Sequence, residues 1–117
     1  MTGYDIYEKA MQFIGMGDTD GEIPDGTAIL PAALEAINQI GFDLCGMQPK
    51  ATLFDVVDLP AYALAAMPYG VGMLLSMSIG VTQQNALMTE LYNAKRATVK
   101  AATSRVRDRL PVTEVDV

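Results

Sequence analysis

The feature that most limits what this chain can fold into is an uncharged run of thirty-one residues, Leu59 to Thr89, reading LPAYALAAMPYGVGMLLSMSIGVTQQNALMT between Asp58 and Glu90. A stretch this apolar must be buried by protein or by lipid. It leads directly into ELYNAKRATVKAATSRVRDRL, where most of the basic residues are gathered. A chain of 117 residues suits one domain and can bury a modest core without metals or disulfides. The expected organisation is a single helical domain over 1–110 and a flexible tail over 111–117.

The run also has to be weighed as a membrane span, because it is long enough and is followed by positive charge. Two prolines, several glycines and serines and much alanine argue against that, and two amphipathic helices upstream need a core to pack on. The run is therefore read as the central buried helices of a bundle. No membrane partner is expected.

Pro60 and Pro68 punctuate it. Asp58 is placed to cap a helix starting at Leu59 and Pro60, and Pro68 is expected to divide the run into two helical pieces, the second ending at Gly80. Gly70 and Gly72 weaken a helix, and their presence suggests that another backbone approaches closely.

Upstream, Thr2 and Asp5 have the spacing of a capping box. Ile6, Tyr7, Ala10, Phe13 and Ile14 recur at helical period opposite Asp5, Glu8, Lys9 and Gln12, predicting an amphipathic helix that stops at Gly15 or Gly17. The acidic loop MGDTDGEIPDG invites a calcium reading, but Pro24 breaks the twelve-residue ligand spacing and no bidentate Glu closes it. It is read as an exposed turn-rich loop.

A second helix is predicted with Pro31 in its first turn, a stripe of Leu30, Ala33, Leu34, Ile37, Ile40 and Leu44, and Gly46 at its end. Phe42 falls on the polar side of that wheel. It is a candidate contact with a partner subunit, with a covering loop as the alternative. Residues 47–58 hold β-branched and aromatic residues but no partner strand elsewhere, so they predict a short extended connector.

From Thr82 a last helix is predicted to about Arg109. Leu87, Met88, Leu91, Tyr92 and Ala94 give its first half an apolar face, whereas beyond Lys95 the larger apolar residues are Val99 and Val106 alone. A helix that outruns its own core must fray or lie against something else. That makes Lys95, Arg96, Lys100, Arg105, Arg107 and Arg109 candidate contacts with another subunit or an acidic partner. The fold class expected is all-α: a small bundle of four to five helices with a short extended connector and a long C-terminal helix.

Charge and residue chemistry narrow the function. The net charge of −6 conceals an asymmetry, since Lys9 and Lys50 are the only bases ahead of Lys95. One end repels nucleic acid, while the other attracts it or an acidic neighbour. Arg96, Lys100 and Arg107 share a face, but the remaining bases do not, and no aromatic lies beyond Tyr92 to stack on bases. Non-specific contact with a DNA backbone is the extent of the expectation.

Without histidine the chain lacks the usual general base and zinc ligand. The single Cys45 has no histidine to activate it and is read as a small residue at the edge of a helix face. Carboxylates are scattered through loops and solvent faces. Neither an enzyme nor a cofactor is expected, and the polar, acidic opening gives no secretory leader, so the expected location is cytoplasmic.

The order DIYEKAMQFIGMGD, LPAALEAINQIGFDL, a short extended link, DLPAYALAAMPYGVGMLLSMSIGV and an Ala-rich basic helix resembles the small helical head-to-tail adaptor (connector, head-completion) proteins of tailed bacteriophages and prophages. The paired ALEAINQI helix and the LPAYALAAMPYGVGMLL turn into a buried helix carry most of the likeness, which covers about residues 4 to 105 as a pattern of elements. The resemblance implies a structural virion protein: a homo-oligomeric ring bound beneath the portal that extends its channel and forms the platform for the tail. It implies portal and tail proteins as partners, a virion destination after assembly in the host cytoplasm, and no catalytic residues. A small DNA-associated or regulatory helical protein is the alternative, and a single-span membrane protein a more distant one.

Overall fold

A computed structural model describes residues 1–15, 26–80 and 82–109, with side chains at 26–28 and 103–109 excepted. Four helices make up the described part: α1 (Gly3–Phe13), α2 (Gly26–Cys45), α3 (Ala61–Ile79) and α4 (Thr82–Arg109). The class is all-α, with a long C-terminal helix. The acidic loop MGDTDGEIPDG falls mostly outside the described residues, as does the tail beyond Arg109.

α1 starts where its capping box predicts. The Asp5 backbone N–H donates to Thr2 Oγ1 at 3.3 Å and the Thr2 N–H donates to Asp5 Oδ2 at 2.9 Å, so two otherwise unpartnered helix-end donors are satisfied. Ile6, Tyr7, Ala10, Met11 and Ile14 are buried. Phe13 is not among them. It sits at the rim, its ring tilted on that of Tyr69 at a centroid distance of 4.9 Å, and Met11 takes the inward place.

α2 begins five residues earlier than its proline suggests. Pro31 lies inside the helix, where it removes one main-chain bond. The added turn brings Ile29 into the core and turns Leu30 outward, so the inward stripe is Ile29, Ala33, Ala36, Ile37, Ile40 and Leu44. Gly46, at φ +67°, ends the helix.

The connector that follows contains no strand. It runs back along one flank of α2, fixed there by Asn38, whose Nδ2 donates to the Lys50 carbonyl at 3.0 Å and whose Oδ1 accepts from the Lys50 N–H at 2.7 Å. Its far end meets the N-terminus: the Tyr4 N–H donates to the Leu53 carbonyl at 2.7 Å and the Val57 N–H to the Met1 carbonyl at 2.8 Å. The one extended pairing is an isolated antiparallel bridge of Thr2 with Val56.

α3 corrects two expectations. It is continuous through Pro68, and it starts at Ala61 behind Pro60 with no side-chain cap, so Asp58 does not cap it. Pro68 forfeits one helical bond, yet Ala63, Ala66, Met67, Val71 and Leu75 on either side are all buried. α1, α2 and α4 all pack on this helix, and burial of these residues on both sides of the proline outweighs the local cost of about 3 kcal/mol. It is the one described helix long and apolar enough to cross a membrane, and half of that stretch is buried inside the protein.

The close approach expected at the glycines involves side chains rather than backbone. A Cβ added at Gly70 would lie 2.7 Å from Tyr92 Cε1 and 2.8 Å from Ile40 Cδ1, so α2 and α4 both press a side chain into the space a larger residue would fill. α4 is further pinned at its start, where Asn85 Nδ2 donates to the Met73 carbonyl at 2.8 Å and to Ser76 Oγ at 3.2 Å.

Candidate contact surface

Among the described side chains beyond Tyr92, the apolar face of α4 narrows to Val99, which is buried. What holds this part of the helix is charge. Tyr92, Arg96 and Lys100 recur every fourth residue, so they share one face, and all three converge on Asp43 in the last turn of α2. The Tyr92 hydroxyl donates to Asp43 Oδ2 at 2.5 Å. Arg96 grips both carboxylate oxygens, Nε at 2.7 Å from Oδ2 and Nη2 at 3.1 Å from Oδ1. Lys100 Nζ donates to the Asp43 main-chain carbonyl at 2.6 Å, a favourable place for a cation at the negative end of a helix.

The electrostatics follow from this geometry. The Arg96 guanidinium holds the Asp43 carboxyl below its ordinary range against the opposing pull of partial burial. Burial first, and then the bond to an ionised Asp43, push the Tyr92 phenol well above its usual value. Asp43 in turn raises Arg96. Cys45 nearby moves upward through burial, which lowers its thiolate fraction and hence its reactivity.

This cluster borders a cleft of about 500 Å³ between α2, α3 and α4, lined by Ile40, Phe42, Met73, Leu74, Tyr92 and Lys100 among others. A smaller hollow of about 220 Å³ continues along the α2–α3 seam and shares Gln39 and Leu74 with it. Phe42 stands at the rim, 68% exposed. No described segment covers it, so the loop alternative for Phe42 finds no support among the described residues.

The candidate contacts do not form one surface. Phe42 and Lys100 meet at the cleft, and Arg96 is occupied by Asp43 beside it. Lys95 points elsewhere, its Nζ 5.5 Å from the centre of the Tyr69 ring. Arg105, Arg107 and Arg109 lie on the helical backbone of α4, and their side chains are outside the described residues. The expectation that the far half of α4 lacks any hold within its own chain is corrected as far as Lys100.

A second exposed apolar surface escaped the sequence reading. Phe54 is 74% exposed and stacks on Tyr4 with ring centroids 5.7 Å apart and planes 15° from parallel. Val56 and Met1 beside it are also exposed. The alternation of Phe54, Asp55 and Val56 was the available signal, but it reads equally well as a strand with one face inward.

Among the described residues, no group of three or more His, Cys, Asp or Glu side chains is placed to hold a metal ion. No protein-family model matches the chain, and no curated protein or solved structure shows significant similarity to it.

Proposed function

We propose that the chain is a structural building block that assembles with copies of itself, in the manner of a phage head–tail adaptor ring that joins portal to tail. One observation carries the reading: two phenylalanines, Phe42 and Phe54, stand more than two-thirds exposed on separate parts of a small chain. Each belongs to a wider apolar surface, Phe54 with Tyr4, Val56 and Met1 and Phe42 with Met73 and Leu74, and contiguous exposed apolar patches rimmed by polar groups favour binding of other proteins. The order of elements that resembles the phage adaptors supplies the more specific identity.

The DNA-associated alternative draws less support. Of the three cations that share a face, Arg96 and Lys100 are engaged with Asp43, and the side chain of Arg107 lies outside the described residues.

Light scattering of the purified chain over a concentration series tests the proposal. Growth of mass with concentration, and ring-shaped particles in negative-stain images, are the expected result. A chain that stays monomeric at several hundred micromolar, alone and with portal protein, would remove the proposal.

A further inference from the structure

Two residues join α3 to α4, and the first of them, Gly80, makes the turn at φ +92°. A Cβ added there would meet nothing within 4 Å, so the left-handed backbone, and not a shortage of space, calls for glycine. Among the described residues, α4 packs on α3 and α2 and not on α1. Its fixed points are Tyr92 at Gly70, Asn85 on the Met73 carbonyl and Arg96 on Asp43. They would be the same whichever copy of the chain supplied the helix.

The turn leaves apolar surface without a partner. Met77, three residues before Gly80, is 67% exposed, and Leu87, in the second turn of α4, is 50% exposed. Met73 and Leu91 are only partly buried. Gly72 faces Met88 and Gly70 faces Tyr92, so the turn sets these residues on two antiparallel helices. If Gly80 became helical, α3 and α4 would join into one helix over 61–109. At about 100° per residue, Met73, Met77, Leu87 and Leu91 would then lie within roughly 80° of one another, in a stripe that passes through Gly80 and Gln84.

We infer that two copies exchange α4 about Gly80, each long helix lying antiparallel to the other, with the stripes meeting where the hinges cross. The exchange keeps the seat of α4 on α3 and α2 and adds a contact that the single chain lacks. That is why swapping an identical element across a short hinge is a low-cost route to a dimer. Gly80 opposes it, since glycine both suits the turn and weakens a straight helix, so stripe and glycine together set the balance. The inference goes beyond the reading of a ring subunit and does not rest on it. The swapped pair is the unit from which a larger assembly would be built, and it leaves the Phe42 and Phe54 surfaces free.

Three measurements decide it. In sedimentation runs the parent chain should dimerise reversibly, and Gly80→Ala, which strains the turn and favours the straight helix, should tighten the dimer by roughly tenfold or more. Met77→Ser with Leu87→Ser should weaken it by roughly tenfold, with the circular dichroism of the monomer unchanged because both side chains are exposed. A disulfide then reports which copy supplies α4. A Cβ added at Gly72 lies 3.5 Å from Met88 Cγ, so Gly72→Cys with Met88→Cys, in a Cys45→Ser background, places two thiols within bonding reach. Oxidised dimers should run at twice the chain mass on a denaturing gel without reductant, and oxidised monomers as single chains. A Gly80→Ala chain that stays monomeric at several hundred micromolar, a dimer that the serine pair leaves equally tight, or oxidised dimers that separate into single chains would each overturn the exchange. The Phe42 and Phe54 reading would then stand or fall on its own concentration series.

Discussion

α4 is fastened to the rest of the protein in two unlike ways. Over its first half the fastening is by shape: Met88 and Tyr92 are buried against α3, and Tyr92 and Ile40 fill the space that Gly70 leaves. Farther along it is by charge, on a carboxylate that is itself about one-third exposed, with Val99 as the one fully buried anchor beyond Tyr92 among the described side chains. Close-packed contacts admit almost no substitution. A half-exposed ion pair, by contrast, contributes little and weakens with salt. The first half is therefore expected to set the stability of the bundle, and the second to set where the cleft edge and Lys100 stand.

The sharpest way to break that contrast is Gly70→Val. Its branched side chain must displace Tyr92 or Ile40, and the expected cost is about 2–3 kcal/mol in denaturant unfolding; an unchanged midpoint would show that the crossing has slack. Val99→Ala deletes the anchor of the second half, at about 2 kcal/mol. Its effect should be localised, with hydrogen exchange rising in α4 beyond Tyr92 more than in α3.

A smaller change is expected for Tyr92→Phe, which keeps the ring in the crossing and removes only the hydroxyl from Asp43, a loss of about 1 kcal/mol. Should that variant prove as damaging as Gly70→Val, charge rather than shape would dominate the first half too.

The smallest effect is a pH dependence. The Asp43 carboxyl titrates below its ordinary range when folded, so the unfolded chain binds the proton more readily. The contribution is present above the ordinary carboxylate range and is lost as pH falls through the folded value. Asp5 and Asp55 are lowered as well by hydrogen bonds from their own turns, so Asp43→Asn should reduce, without abolishing, the loss of stability measured between about pH 5 and pH 2. If Asn at 43 leaves the acid slope unchanged, the cluster is not an ionised one.

Much of the fold could be read from local pattern. The Thr2–Asp5 box, the stops at Gly46 and Gly80 and the bounds of α4 depend on residues within a turn of one another. Pro31 and Pro68 misled for a common reason: each does remove a helical bond, but burial of Ile29 and of both sides of α3 is a long-range gain that no local rule contains. The contact surface was less legible. Phe42 stood out as an aromatic on a polar face, whereas Phe54 sat in a segment whose alternation promised an inward side. Asp43 looked like any solvent carboxylate, because its three partners lie some fifty residues away along the chain.

The sequence by itself determined that this is a chain of helices, where most of them stop, and that its positive charge gathers on the last. Those properties follow from backbone capping, residue volume and the period of apolar side chains, all of which act over a few residues. Only the tertiary structure decided that α3 runs unbroken, that Arg96 and Lys100 turn inward to Asp43, and that two phenylalanines remain outside on different flanks of α2. Each depends on which surfaces meet when the helices pack, and a side chain's exposure is a property of that whole arrangement.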